Sequence, residues 1–574
     1  MTITSNADFD ETENIFIPLA DGRRLAARLW LPRGAESAPV PAIFEYLPYR
    51  KRDGTAQRDD STYPIFAAAG YAGVRVDISG NGDSDGDFDD EYSPRELADG
   101  VEVIGWIAAQ PWCDGNIGMM GISWGGFNSL QIAMLQPPAL KAVIAIGTTV
   151  DRYNDDIHYK NGCQLYSNFY WSSTMLCFAA RPPDPMVVGE KWRDLWKHRL
   201  ETQPFPLDTW LQHQRRDKYW KHGSVCEDYD AIQIPSLVIS GWGDGYINAP
   251  PAMAAHSRAV SKAINGPWIH KYPHFAWPRP RIDFHTEAIC WWDRWLKQIK
   301  NDVDTYPAYR VFISRDVEPG VVRTDEPGHW EGVSHWPSST VQQKYLYPAS
   351  QNSLRSSPGS PMNLRVSSPE DTGTACGEFF ALKPDSELSG DQRLDNAGSL
   401  VFETNALEEP LTILGRPEIR LHLSVDRPIA NIVVRLLDMH TDGSSHRVSW
   451  GVLNLAHRHS QQNPQPMIPG ITETISVKLD ECGYKFLPDH KIGIAISTAY
   501  WPMVMPPPEK VTATVSLGEL TRLSIPSYHG NNPLEIPAPE NSTPLPEFRC
   551  HLEPDHRRVV EQDLQNNRTH YRVF

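Results

Sequence analysis

No run of about eighteen apolar residues occurs in the 574-residue sequence, so a membrane-spanning helix is not expected. Cysteine is scarce. The eight residues, at 113, 163, 177, 226, 290, 376, 482 and 550, form no CxxC pair, which speaks against a disulfide framework or a zinc knuckle and suits reduced thiols. Positive charge is also in deficit: Lys+Arg 54 against Asp+Glu 71 leaves −17, which disfavours a nonspecific grip on nucleic acid or anionic lipid. The opening segment MTITSNADFDETENIF is acidic and lacks an apolar h-region. A cytoplasmic location is therefore expected, and the sequons at Asn541 and Asn567 carry little meaning. What the chain does have is an ordinary globular balance, 40% hydrophobic and 22% charged, enough to build a core without staples.

The first 150 residues alternate two periodicities. Phe16–Pro18 and Leu25–Leu31 flank the turn Asp21-Gly22 and predict a hairpin. The short apolar runs Ala42–Tyr46, Val74–Ile78, Ile117–Ile122 and Ala142–Ile146 suit buried parallel strands, while Glu96–Gln110 and Gly125–Gln136 have helical spacing. Residues 151–230 form an aromatic-rich, helix-compatible stretch with no obvious strand. Sheet character returns at Pro235–Gly241, and Glu287–Lys297 reads as an amphipathic helix. Beyond residue 305, short β-type runs such as Tyr309–Ile313, Ile419–Val425, Ile432–Leu437 and Ile492–Ile496 alternate with Pro, Gly and Ser. Ser350–Gly377 is expected to be an irregular connection. The pattern predicts a doubly wound α/β core (1–150 and 231–304), a helical cap inserted into it (151–230) and a C-terminal all-β domain of sandwich or jelly-roll type (305–574).

Gly121-Ile122-Ser123-Trp124-Gly125 is a G-x-S-x-G set between an apolar strand and a helical pattern. That is the context of a nucleophile elbow, in which glycines permit a sharp turn and the serine stands above the sheet edge. A serine hydroxyl needs a histidine base and a carboxylate to orient it. Asp244 follows the run Ser236–Gly241, and His270 follows Ile264–Ile269, giving the chain order Ser, acid, His of α/β-hydrolases. His274 is the alternative base. An oxyanion requires two donors: the Trp124 backbone N–H, and, since no HGGG loop is present, the hydroxyl of Tyr49 in the loop after an early strand.

These residues resemble a known family. Pro48-Tyr49, Asp77–Gly86, Gln110-Pro-Trp-Cys-Asp-Gly115 leading into Gly121–Gly126, Gly241-Trp-Gly-Asp244 and Gly266-Pro-Trp-Ile-His270 together are similar to the cocaine esterase / X-prolyl dipeptidyl peptidase family of serine hydrolases, over almost the whole chain. The resemblance implies a hydrolase core with a cap and a jelly roll. It also implies Ser123, Asp244 and His270 as a triad, with Tyr49 and Trp124 as the oxyanion hole. Two positions depart from the family's pattern: Ser79 stands where an arginine is usual, so any ion pair of that arginine is absent, and Trp124 stands where tyrosine is commoner.

The glycine loop at 80–86 lacks the lysine of a P-loop and the spacing of an EF-hand, and a turn is the simpler reading. No cofactor and no metal are called for. The expected activity is hydrolysis of an ester or amide of a small organic acid through an acyl-enzyme. The small-molecule ester or amide is the expected partner, with no nucleic acid and no membrane. An X-prolyl dipeptidyl peptidase is the first alternative, and the family's peptidases tend to be longer. An α-amino-acid ester hydrolase, with Asp155 and Asp156 imitating an amine-binding carboxylate cluster, is another, although adjacent acids at a helix start are more often solvated. An acyltransferase shares the same triad. A non-catalytic binding protein would use the β-rich half. An exposed jelly-roll sheet also allows a homodimer.

Overall fold

The computed structural model describes residues 3–5, 8–385, 387–539 and 557–574. After a short strand at Ile3–Ser5, the N-terminal hairpin sets β1 (Phe9–Pro18) antiparallel to β2 (Arg24–Pro32). It is followed by β3 (Val40–Leu47), β4 (Ala72–Asp77), β5 (Cys113–Ile122), β6 (Leu140–Ile146), β7 (Ser236–Gly241), β8 (Ser261–Gly266) and β9 (Tyr309–Arg315). Their pairing gives the order β1-β2-β4-β3-β5-β6-β7-β8-β9, antiparallel up to the β2–β4 pair and parallel from there on. Strands such as β4 and β7 are buried along their whole length, as expected when helices cover both faces of a parallel sheet.

Helix α1 (Pro94–Ala108) starts where Ser93 Oγ accepts from Glu96 N and Pro94 occupies the first turn, two local signals that favour a helix start. Helix α2 (Trp124–Met134) leaves β5 directly and is buried on nearly every side. The segment after β6 holds α3 (Ser167–Ala179), α4 (Trp192–Thr202) and α5 (Pro206–Gln212). It also contains a short antiparallel pair, Tyr159–Lys160 with Cys163–Gln164, where no strand was expected. Two residues per strand are too few for alternation to show in a sequence. Helices α6 (Ala249–His256) and α7 (Phe284–Trp295) complete the core, and α7 buries Trp291 and Trp292 with sheet residues Ile144, Leu237 and Ile264.

The β-rich half has two layers. One joins Val341–Ala349, Arg522–Tyr528, Glu418–Val425, Ala513–Leu517 and Met362–Val366 through antiparallel pairs. The other joins Leu400–Glu403, Lys491–Ser497, Asn431–Met439 and Ser445–Asn454. Leu421, Leu423 and Val515 of the first layer share a buried core with Phe402, Val434 and Ile494 of the second, the inward half of a period-two alternation. The Ser350–Gly377 stretch is less irregular than expected. Ser353–Arg355 and Met362–Val366 are strands within it, short segments that tertiary pairing makes regular despite their Ser and Pro content. Ser314 and Arg315 at the end of β9 pair in parallel with Tyr484 and Lys485, so the hydrolase sheet runs on into the β domain. A last hairpin, Arg558–Asp563 with Arg568–Val573, turns at Asn567. Asn541 and Cys550 lie outside the described residues. No helix among the described residues is long and apolar enough to cross a membrane.

Candidate active site

Four sequence-predicted positions leave the carboxyl ends of parallel strands: Tyr49 after β3, Ser123 after β5, Asp244 after β7 and His270 after β8. Open α/β sheets place their ligand crevice at that edge. Ser123 has φ 57° and ψ −125°, a left-handed conformation uncommon for a residue with a side chain and characteristic of strained functional turns. The glycines explain how the turn is tolerated. A Cβ at Gly121 would lie 2.7 Å from Gly125 Cα, and one at Gly126 would lie 2.8 Å from the Ile146 carbonyl oxygen. Ser123 N–H donates to that same carbonyl at 2.9 Å, which ties the turn to β6.

Asp244 and His270 are both buried, and His270 Nδ1 lies 2.8 Å from Asp244 Oδ2. The second carboxylate oxygen accepts from Tyr246 N–H at 3.2 Å. Gly147 closes this pair from β6, since a Cβ there would stand 2.7 Å from His270 Cε1 and 2.9 Å from Asp244 Oδ2. His270 N–H donates to the Ala381 carbonyl at 2.9 Å, and its ring packs against Tyr246 and Phe380 at 5.7 and 5.6 Å between centroids. Those two aromatic residues line a small cavity together with Ser123, Glu91, Tyr92, Asp156, Ile157 and Trp171. Ser123 lines this cavity, and His270 touches two of its other lining residues.

The Tyr49 hydroxyl faces Ser123 and the Trp124 backbone N–H. Its burial pushes its pKa up, against the lowering effect of those two contacts. It is a phenol that stays protonated and can donate. The Trp124 indole N–H donates to Glu96 Oε1 at 2.6 Å, and Asn128 Nδ2 donates to the same oxygen at 2.8 Å. Burial raises the Glu96 carboxyl to about 8. This anchor joins the first turn of α2 to α1, beneath the Ser123 turn. His274, the alternative base, lies elsewhere: its ring stacks on Phe284 and abuts His285, both ring nitrogens are buried without a partner, and burial drives its pKa far below the ordinary value.

The chamber has an acidic wall. Asp155 and Asp156 are not at a helix start and are not solvated. Asp155 accepts from Lys160 Nζ at 2.7 Å and Asn248 Nδ2 at 2.8 Å, whereas Asp156 faces the cavity. Asp156 Oδ1 accepts from the Tyr246 hydroxyl at 3.1 Å, and Oδ2 is buried without a partner. Burial, with Glu91 adding to it, pushes the Asp156 carboxyl up to about 7. Against the effect of its own burial, His158 at 2.6 Å and Arg152 at 3.2 Å hold Glu91 below the ordinary range. Trp171 Nε1 donates to Glu91 at 3.1 Å. Sequence reasoning noticed the Asp155-Asp156 pair but not Glu91, Tyr246 or Phe380. The signals available were the position of Tyr246 two residues past Asp244 and the apolar pair Phe379-Phe380 in an otherwise polar connection.

Beside Ser79 the structure supplies a guanidinium from the turn of the N-terminal hairpin. Arg23 reaches Ser79 Oγ and Asp99, with 2.7 Å to Asp99 Oδ2. The carboxylates of the glycine loop are engaged as well: Asp83 with Lys51 at 3.2 Å and Asp85 with Arg24 at 2.9 Å. A larger space, about 840 Å³, lies beyond Asp244 toward Arg323, His446 and Tyr484, and Ser123 is not on its wall.

Two family models match consecutive parts of the chain. Residues 21–272 match the family model described as X-Pro dipeptidyl-peptidase (S15 family), and residues 301–535 match that of the X-Pro dipeptidyl-peptidase C-terminal non-catalytic domain. Cocaine esterase from Rhodococcus sp. (strain MB1 Bresler) is 25% identical over 549 residues, covering 87% of this chain and 92% of its own. Among solved structures, an α-amino acid ester hydrolase superposes with TM-score 0.74 at 20% identity, covering 92% of this chain and 98% of its own. A CocE/NonD family hydrolase from Staphylococcus aureus superposes with TM-score 0.70 at 16% identity, covering 90% and 94%.

Proposed function

We propose, for a chain that belongs to the X-Pro dipeptidyl-peptidase (S15) family and is a serine hydrolase of ester or amide bonds, that Ser123 is the nucleophile, His270 the general base and acid, and Asp244 the group that orients His270. The Tyr49 hydroxyl and the Trp124 N–H receive the oxyanion. The observation that carries this reading is the His270–Asp244 hydrogen bond of 2.8 Å, made beside the chamber that Ser123 lines. Ser123 Oγ attacks the substrate carbonyl carbon as His270 Nε2 takes its proton, and negative charge moves onto the carbonyl oxygen. Collapse expels the alcohol or amine, which carries away the proton from His270. Water, losing a proton to the same imidazole, then attacks the acyl-enzyme and frees the acid and Ser123.

Tyr49→Phe tests the second oxyanion donor. The ring packing against Trp124, Trp171 and Phe178 is retained, so the loss should fall on kcat, by ~10²–10³, with KM little changed. Steady-state hydrolysis of p-nitrophenyl acetate measures this, and an unchanged kcat would assign the role to another donor.

Within the class we favour an ester over an X-Pro peptide, on the 25% identity to cocaine esterase. Parallel assays on p-nitrophenyl acetate and an Ala-Pro anilide decide between the two. A second reading rests on Asp156: an unpartnered carboxylate oxygen inside the chamber is suited to a substrate ammonium, as in an α-amino-acid ester. Asp156 should be largely neutral below about 7 and anionic above it, and a free α-amine loses its charge near ~7.7. Preference for an amino ester over its desamino analogue should therefore climb from pH 6 to about 7.5 and decline above. Asp156→Asn should flatten that rise and raise KM for the amino ester by ~10-fold or more, the worth of a charged hydrogen bond. A flat preference in the unmodified enzyme would leave the plain ester reading alone.

The same proposal assigns 1–150 and 231–304 to the core, 151–230 to the cap and 305–574 to the β domain, with a small-molecule substrate. Supported by unpaired thiols at all seven described cysteines, it places the enzyme in a reducing cytoplasm. A homodimer formed through the β domain is the assembly it includes, and sedimentation tests it.

A further inference from the structure

Away from the chamber, three turns bring nitrogen and oxygen donors together. Asp316 follows β9, His440 follows the strand Asn431–Met439, and His490 precedes the strand Lys491–Ser497. One donor atom from each lies within 4.8 Å of the other two. The imidazoles are largely buried, with side chains 11% and 9% exposed, while Asp316 is 56% exposed.

The hydrogen bonding of the cluster leaves lone pairs unused. Asp438, fully buried, lies 2.9 Å from His490 Nδ1 and accepts from the Tyr484 hydroxyl at 2.7 Å. A carboxylate on Nδ1 fixes the proton there and turns the Nε2 lone pair outward, the arrangement in which a histidine ligates a metal. His490 Nε2 faces Asp316 Oδ1 at 3.8 Å. His440 Nε2 is buried without a hydrogen-bond partner, its nearest carboxylate oxygen being 3.5 Å away on Asp438. Burying such a nitrogen unpaired is unfavourable, and a metal ion would satisfy it.

We propose that Asp316, His440 and His490 bind a divalent transition-metal ion, zinc by its taste for imidazole and carboxylate in one site. Ligands at ~2.1 Å from a tetrahedral ion stand ~3.4 Å apart, so the 3.8 Å between His490 and Asp316 closes with a small movement of an exposed side chain. Two neighbouring carboxylates, Asp316 and Asp438, favour a dication over an anion or water alone. The ion would fasten the end of β9 to the layer that holds Asn431–Met439 and Lys491–Ser497. None of its ligands lines the Ser123 chamber, so its role is structural.

The test uses the full chain, stripped with chelator and titrated with Zn²⁺ by calorimetry and with Co²⁺ by visible absorption. One ion per chain, a cobalt spectrum of nitrogen–oxygen ligation and a rise in Tm are expected. Asp316→Asn and His440→Gln should each weaken binding at least tenfold while p-nitrophenyl acetate turnover stays unchanged. Asp316 is exposed, so its variant keeps the fold, and circular dichroism checks both. Absence of saturable uptake in the unmodified chain, or equal uptake by the two variants, overturns the proposal.

Discussion

Ser123→Ala is expected to lower kcat for p-nitrophenyl acetate by a factor on the order of 10⁴ or more, the scale on which nucleophile removal acts in other triads. The variant should fold normally. The position is only half-buried, and the backbone bond from residue 123 N–H to Ile146 does not involve the hydroxyl. Loss of turnover should be matched by loss of fluorophosphonate labelling, with the adduct on the unmodified enzyme mapping to the peptide that contains Ser123. Near-normal turnover in the variant would remove this serine from the reaction. Labelling on another residue would move the nucleophile with it.

How much of this site a reader can draw from sequence depends on what holds each residue in place. Ser123 is legible because its environment is local: an apolar strand, glycines at 121, 125 and 126, then a helix. A turn that tight has few sequence solutions. Asp244 and His270 are legible as residues just past buried strands, since every such residue in a parallel sheet emerges at the same edge. The acidic wall is another matter. Glu91 precedes α1, Asp156 belongs to the segment after β6, and Tyr246 follows β7. Nothing in their spacing announces that the inserted segment folds back over the sheet and joins them. Phe380 comes from a connection of the β domain, and its contact with His270 depends on how two halves of the chain dock. Arg23 is subtler still. The missing arginine at position 79 was readable, whereas a guanidinium arriving from the N-terminal hairpin turn was not. The layered fold was legible in outline from strand and helix periods, and the two-residue strands of the cap fell below the length at which a period exists.

Asp244→Asn isolates the contribution of the carboxylate from that of its shape, and the local hydrogen bonds decide the outcome. Asp244 Oδ1 accepts from Tyr246 N–H at 3.2 Å, while Oδ2 meets His270 Nδ1 at 2.8 Å. An asparagine has one oxygen for these two places. Keeping the backbone N–H satisfied puts the amide oxygen on Tyr246 and turns the NH₂ toward His270. The imidazole must then accept at Nδ1 and carry its proton on Nε2, the tautomer that cannot take a proton from Ser123. The opposite orientation sets two donors against each other at Tyr246 in a buried site, which is unfavourable. With the first orientation favoured, kcat should fall by ~10³–10⁴, with KM nearly unchanged, because the substitution keeps the side chain's shape. Residual turnover above the uncatalysed rate should persist through the Tyr49 and Trp124 donors. Gly147 makes the alternative of a shifted side chain costly, since its absent Cβ is the space the pair occupies. Near-normal turnover in Asp244→Asn would mean that His270 is oriented by something other than this carboxylate.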